Sequence, residues 1–222
     1  MSIRGAGPGR TVIDANDVDR IFDIEQNKNA FVDVAITGVT MRDGVSPNQG
    51  GALAISDQTA VTLTDTALVS NQAAQYGGAI FVAARGSVSV TRSTLNANRA
   101  LNGGALASDA GVVEITNSTI SGNVAGQTGG GLFLTIFSGG STMITNTTIA
   151  GNRVGAGGAG IAAPGSNGDP SPDPGKRVVE RRSRLFRLRD FPGFQHLRRQ
   201  LLQPGGRGGQ AGRRSAHWSA SQ

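Results

Sequence analysis

The chain has 222 residues, 34 of them glycine, with aromatics at 5% and no cysteine. That composition excludes a globule built on a large aromatic core, a disulfide framework and a thiolate metal site. The net charge of +6 joins two unlike parts: residues 1–173 carry 9 basic and 13 acidic side chains, residues 174–222 carry 12 basic and 2 acidic.

The opening "MSIRGAGPGR" has no apolar core of a signal peptide, and no apolar run is long enough to span a bilayer. "GAGPG" from Gly5 lacks the lysine and the following helix of a phosphate loop, so it reads as a plain turn. The richest acidic cluster comes next: Asp14, Asp17, Asp19, Asp23 and Glu25. Asp14, Asn16 and Glu25 fall at the first, third and twelfth places of a calcium loop. Val18 stands where a ligand belongs and Asp19 replaces the required glycine, so a solvated turn before the first full coil is expected.

Five eleven-residue words follow: "VAITGVTMRDG" from Val34, "VTLTDTALVSN" from Val61, "VSVTRSTLNAN" from Val88, "VEITNSTISGN" from Val113 and "TMITNTTIAGN" from Thr142. Their third column reads Ile36, Leu63, Val90, Ile115, Ile144, and their last reads Gly44, Asn71, Asn98, Asn123, Asn152. Apolar first and third columns with polar residues between have a period of two, which makes each word open with a strand. A glycine pair and a second apolar pulse come after each word, at Gly50, Gly77, Gly103 and Gly129, with "GAGIA" at Gly158. The steps between these glycines are 27, 26, 26 and 29 residues.

A period of this length, with two or three short strands per unit and no helical pattern, predicts an all-β fold: a right-handed parallel β-helix of about five to six coils. Equivalent residues then stack ~4.8 Å apart, so a charge on an inward column would lie in the core and beside its own kind. Asparagine is expected at a corner, tolerating left-handed backbone and bonding up the stack. The domain division is 1–33 as a truncated first coil, 34–166 as β-helix repeats and 167–222 as a non-repeat basic tail, disordered or irregular.

The words "GGAL" and "GGAI" and the tetrads "LVSN", "LNAN", "ISGN" and "IAGN" resemble the repeats of chlamydial-type polymorphic outer membrane proteins, with Leu or Ile in place of their phenylalanine. Residues 2–166 are more similar to bacterial right-handed β-helix repeat proteins named for an N-terminal CSLREA motif. The first coils carry that likeness in Ile3-Arg4-Gly5, Ile13-Asp14 and Phe22-Asp23-Ile24. The resemblance implies an exported, surface-attached or secreted protein without demonstrated activity. It also implies an internal piece that starts late, because neither the CSLREA motif nor an export signal is present.

An enzyme acting on polysaccharides is the alternative. Residues 58–168 contain only Asp65, Asp109 and Glu114 as acids, and hydrolysis needs a pair ~5–9.5 Å apart. Asp65 has Arg92 above it in the next coil, which reads as an exposed ladder salt bridge before it reads as a lyase's calcium ligand and base. Both histidines, His196 and His217, lie in the tail. "NST" at Asn117 and "NTT" at Asn146 fit the glycosylation pattern, but an outward-facing strand column accounts for them. No catalytic, cofactor-binding or metal residue is therefore expected, and cell-surface glycans or a host surface are the expected partners.

The basic tail has three readings: an arm for nucleic acid or acidic lipid, a partnerless disordered segment, or a shift of reading frame between about Gly165 and Asp173. The third is preferred over a nucleic-acid arm. Codons permitted for the residues from Lys176 onward can be chosen so that, read one base later, they give a hypothetical stop-free string containing the family-like words "DCSG", "GFN" and "DPLIGPL". With both ends of the stack uncapped, the isolated chain is expected to self-associate.

Overall fold

The computed structural model of the chain describes residues 1–25, 31–135, 140–155, 160–163 and the backbone of 178–181. These residues form 24 strands and no helix. Every pairing between strands is parallel, and the strands make four sheets of 7, 5, 6 and 6 members. The chain winds through the four sheets in turn, giving a parallel β-solenoid of about five turns.

One coil shows the plan. Thr59–Thr64 lies in the seven-stranded sheet, Ala67–Val69 in one six-stranded sheet, Gln72–Ala73 in the five-stranded sheet and Ile80–Val82 in the other six-stranded sheet. A full coil thus has four strands, where the sequence pattern suggested two or three. The eleven-residue word holds two strands, split by a two-residue bend at its fifth and sixth columns, and such a bend leaves the alternation on either side intact, so the pattern does not reveal it. The first coil contributes three strands, Ser2–Arg4, Val12–Asp14 and Phe22–Ile24, stacked on their counterparts in the second. Val178–Arg181, within the basic tail, pairs with Ser141–Thr145; the rest of residues 164–222, with the proposed frameshift and both histidines, lies outside the described residues.

Register is strict. Val61 pairs with Val34 and Val88, and Val88 with Val113; Leu63, Val90 and Ile115 align in the same way. All seven side chains are at most 5% exposed, so they share one interior. The other sheets add Met41, Leu68, Leu95 and Ile120, and Leu53, Ile80, Leu106 and Leu132, each fully buried. Full burial of an aliphatic side chain stabilises by about 1.5–3 kcal/mol, which makes this stack the main source of stability.

Each corner turns on a single left-handed residue. At the fifth column these are Gly38, Asp65, Arg92, Asn117 and Asn146, with φ of 48–68°. At the tenth they are Asp43, Ser70, Ala97, Gly122 and Gly151, with φ of 54–65°. The corner asparagines bond up the stack as expected, but they are not the left-handed residues. The residue before each takes the left-handed angle, and the asparagine itself points inward and bonds its neighbours. Asn98 Oδ1 accepts from the Asn71 backbone N–H (2.9 Å) and amide (3.0 Å), while its own amide donates to Leu68 O (3.0 Å) and Asn123 Oδ1 (2.9 Å). Asn123 and Asn152 continue the same pattern.

A second ladder runs along the sixth column through Thr66, Ser93, Ser118 and Thr147. The Thr66 N–H donates to Ser93 Oγ (3.0 Å) and the Ser93 N–H to Ser118 Oγ (3.1 Å). Among the described residues no buried side-chain polar atom lacks a partner. The second glycines Gly51, Gly78 and Gly104 are fixed by close approach: a Cβ on Gly104 would lie 2.2 Å from Gly130 O.

Asn98→Ala leaves the Asn71 backbone N–H buried without an acceptor and removes the side-chain bonds to Leu68 O and between the stacked amides, and is expected to cost about 2–4 kcal/mol in urea unfolding. Gly104→Ala should cost about as much by overpacking, whereas Thr62→Ala on the exposed face should stay within about 0.5 kcal/mol.

Candidate functional site

The N-terminal acids do not converge on a common point. Asp14 accepts from the Asn16 N–H (2.9 Å) and from the Arg42 guanidinium (Nε, 2.8 Å) of the second coil. Asp19 accepts from the Arg20 N–H (2.7 Å), and Asp23 pairs with the Arg20 guanidinium. Val12–Asp14 and Phe22–Ile24 are strands, so much of the expected turn is an ordered coil; Asp17 and Glu25 are exposed. Among the described residues no group of three or more His, Cys, Asp or Glu side chains could hold a metal ion.

Arg20 is the most engaged of these side chains. Its Nε donates to Gly50 O (2.9 Å), and its Nη2 to Gln49 O (2.9 Å) and Ser46 Oγ (3.0 Å). At 19% exposure the guanidinium is a clamp holding the first coil on the second.

Asp65 and Arg92 meet as expected, in a bidentate pair of 2.9 and 2.8 Å between successive coils. Arg85 and Asp57 form a similar bridge (2.7 Å). Asn117 and Asn146, placed by the sequence in a strand column, are exposed and lie in the bend between two strands.

The feature that sequence reasoning missed is a cleft of about 220 Å³ on the outer surface, lined by Gln49, Tyr76, Phe81, Ala107, Asp109 and Thr135 among others. Phe81 and Phe133 occupy one outward column two coils apart, with Ala107 paired between them. Tyr76 reaches the cleft from the neighbouring corner, where it bridges Gln49 and Asn102. Its ring centroid lies 6.4 Å from that of Phe81 and 6.0 Å from that of Phe133, at tilts of 48° and 36°.

The three rings are half-buried, and Ala107, only 1% exposed, forms the floor. Beyond the rings, the Thr135 hydroxyl is placed to donate to Ser108 O (2.9 Å) or Asp109 Oδ1 (3.1 Å). The column otherwise carries Asp23 in the first coil and then Ala54 and Ala162, so the phenylalanines depart from the alanines of the full coils. That departure was the available signal, and it needs the register to be interpreted.

Among the described residues no helix is long and apolar enough to cross a membrane. Comparison with known proteins finds no matching family model, no matching curated protein and no matching solved structure.

Hydrogen bonds from the Asn16 N–H and then Arg42 hold the Asp14 carboxyl below its ordinary value of 3.8, and a hydrogen bond from Arg92 does the same for Asp65. A depressed folded-state pKa stabilises above the unfolded value and is lost as pH falls through the folded one. Thermal melting should therefore show a small loss of stability on going from neutral pH to below 3.8, and the double variant Asp14→Asn, Asp65→Asn should reduce that loss.

Proposed function

We propose that the chain is a non-catalytic part of a surface-attached or secreted protein, serving as a stiff stalk or adhesin-like rod that presents its faces and corners laterally. The supporting observation is the disposition of its ionisable groups. Asp14, Asp57 and Asp65 are each bound to an arginine one coil on, so these acids tie coils together rather than facing one another across a groove. A regular solenoid supplies a long repetitive surface without needing a reactive centre.

The finer parts of this reading rest on the resemblance: membership of the CSLREA-type right-handed β-helix proteins, an extracellular or outer-membrane location, and glycans or a host surface as partner. The polysaccharide-active alternative and nucleic-acid binding through residues 174–222 are the competing functions.

Two measurements separate them. The purified chain is expected to leave acidic polysaccharides uncleaved while retaining binding on an array of cell-surface glycans; a turnover-dependent product from any of those polysaccharides would overturn the reading. DNA binding that weakens with salt and vanishes on removal of residues 174–222 would favour the basic arm instead. Because among the described residues Ser2–Arg4 has a partner strand on one side only, the isolated chain should also self-associate in sedimentation, against which a single sharp monomer boundary would count.

A further inference from the structure

We propose that the cleft formed by Tyr76, Phe81, Phe133 and Asp109 is a binding site for a methylated ammonium group, such as the head of choline. The proposal goes beyond the structural reading above and does not depend on it. Its first ground is that the buried core is complete without the rings, which pack on one another at the surface. They lie on the outside, in and beside a column that carries alanine at Ala54, Ala107 and Ala162, and the core beneath is filled by Ile80, Leu106 and Leu132. Three large aromatic side chains gathered half-exposed on a surface with few aromatics mark a recognition patch.

The shape narrows the ligand. Tilts of 48° and 36° keep the three rings out of one plane, unlike the flat shelf on which a sugar ring stacks. A volume of about 220 Å³ is small for a drug-sized pocket, which typically spans about 300–1,000 Å³, and suits a compact head group with its chain leaving through the mouth. A pyranose would also need several free donors and acceptors. Ser108 Oγ already accepts from the Gly111 N–H (3.1 Å), and the Thr135 hydroxyl is taken up by Ser108 O or Asp109, which leaves little beyond Gln49 and Asp109.

Charge selects among the compact candidates. Ring faces are electronegative and attract a cation that lies within about 6 Å of a centroid, more strongly when water is excluded. Asp109 adds a full negative charge at the rim. Asp14, Asp23, Asp57 and Asp65 are each neutralised by an arginine, but among the described residues the side-chain partner of Asp109 is Thr135 alone. A neutral apolar guest gains nothing from that carboxylate, and an anion is repelled. An organic cation with methyl groups uses the rings, the floor and the charge together.

Tyr76 is the only tyrosine of the chain, so 3-fluorotyrosine labelling places one ¹⁹F resonance in the cleft. Titration of the full chain with choline chloride should move this resonance saturably. The uncharged isostere 3,3-dimethylbutan-1-ol and methyl glucoside should leave it nearly unmoved. Asp109→Asn should weaken choline about five- to tenfold, and Phe133→Ala should weaken it further, with melting curves confirming that both variants fold. Phosphocholine and phosphatidylcholine vesicles as further arms distinguish a free head group from one on a membrane.

The proposal is overturned if choline gives no saturable shift, if the isostere binds equally well, or if Asp109→Asn is without effect. A saturable shift with methyl glucoside alone would assign the cleft to sugar. None of these outcomes bears on polysaccharide turnover, so the rod reading stands or falls separately.

Discussion

A parallel stack places every side chain directly above and below its own equivalent, ~4.8 Å away, and this constraint selects what each column can hold. Aliphatic groups stack favourably on their like, which is why Val61, Val88 and Val113 recur in one interior column. An amide carries both donor and acceptor, so a column of asparagines satisfies itself indefinitely, as Asn71, Asn98, Asn123 and Asn152 do. Hydroxyls at Thr66, Ser93, Ser118 and Thr147 do the same against backbone N–H groups. A like-charged column repels itself, and charge is therefore kept off the inward columns, with Asp alternating with Arg at a corner such as that of Asp65 and Arg92. The charge-poor, glycine-rich composition of the coils follows from this rule.

The glycine pairs answer to a second consequence of stacking. Where two strands meet at a tight corner, the backbone of one coil sits almost on that of the next. The first glycine, as at Gly103 (φ 67°), takes the left-handed angle, and the second, as at Gly104, leaves no space for a Cβ beneath Gly130 O. Asp65, Arg92 and Ala97 show that a left-handed corner alone does not demand glycine. Close approach demands it.

How much of this could be read from the residues differs by level. The recurrence of Ile36, Leu63, Val90, Ile115 and Ile144 was enough to give a parallel coil with a shared interior, because identical columns have few other physical explanations. The count of four faces was hidden, since a bend such as Asp65-Thr66 occupies two residues and preserves the alternation on either side. The hydroxyl ladder was hidden because Ser and Thr are as common on solvent faces as in satisfied columns. The aromatic cleft was the least accessible: Tyr76 and Phe133 are 57 positions apart in the chain, and only the stacking register brings them together.

The repeat also explains how a solenoid can carry specificity at little cost to stability. Inward columns are bound to their neighbours, but outward columns answer only to solvent, so substitutions there are nearly free. The spacing of such substitutions matters as much as their chemistry. Phenylalanines on successive coils would lie ~4.8 Å apart and stack on one another, closing any space between them. Phe81 and Phe133 are separated by the Ala107 coil and so stand two steps apart, roughly 9.6 Å, with a floor between their stems. Tyr76 then fills one side and Asp109 the other. The alanine is thus as much a part of the cleft as the rings, and the departure from the repeat, rather than the repeat, is where a ligand is recognised.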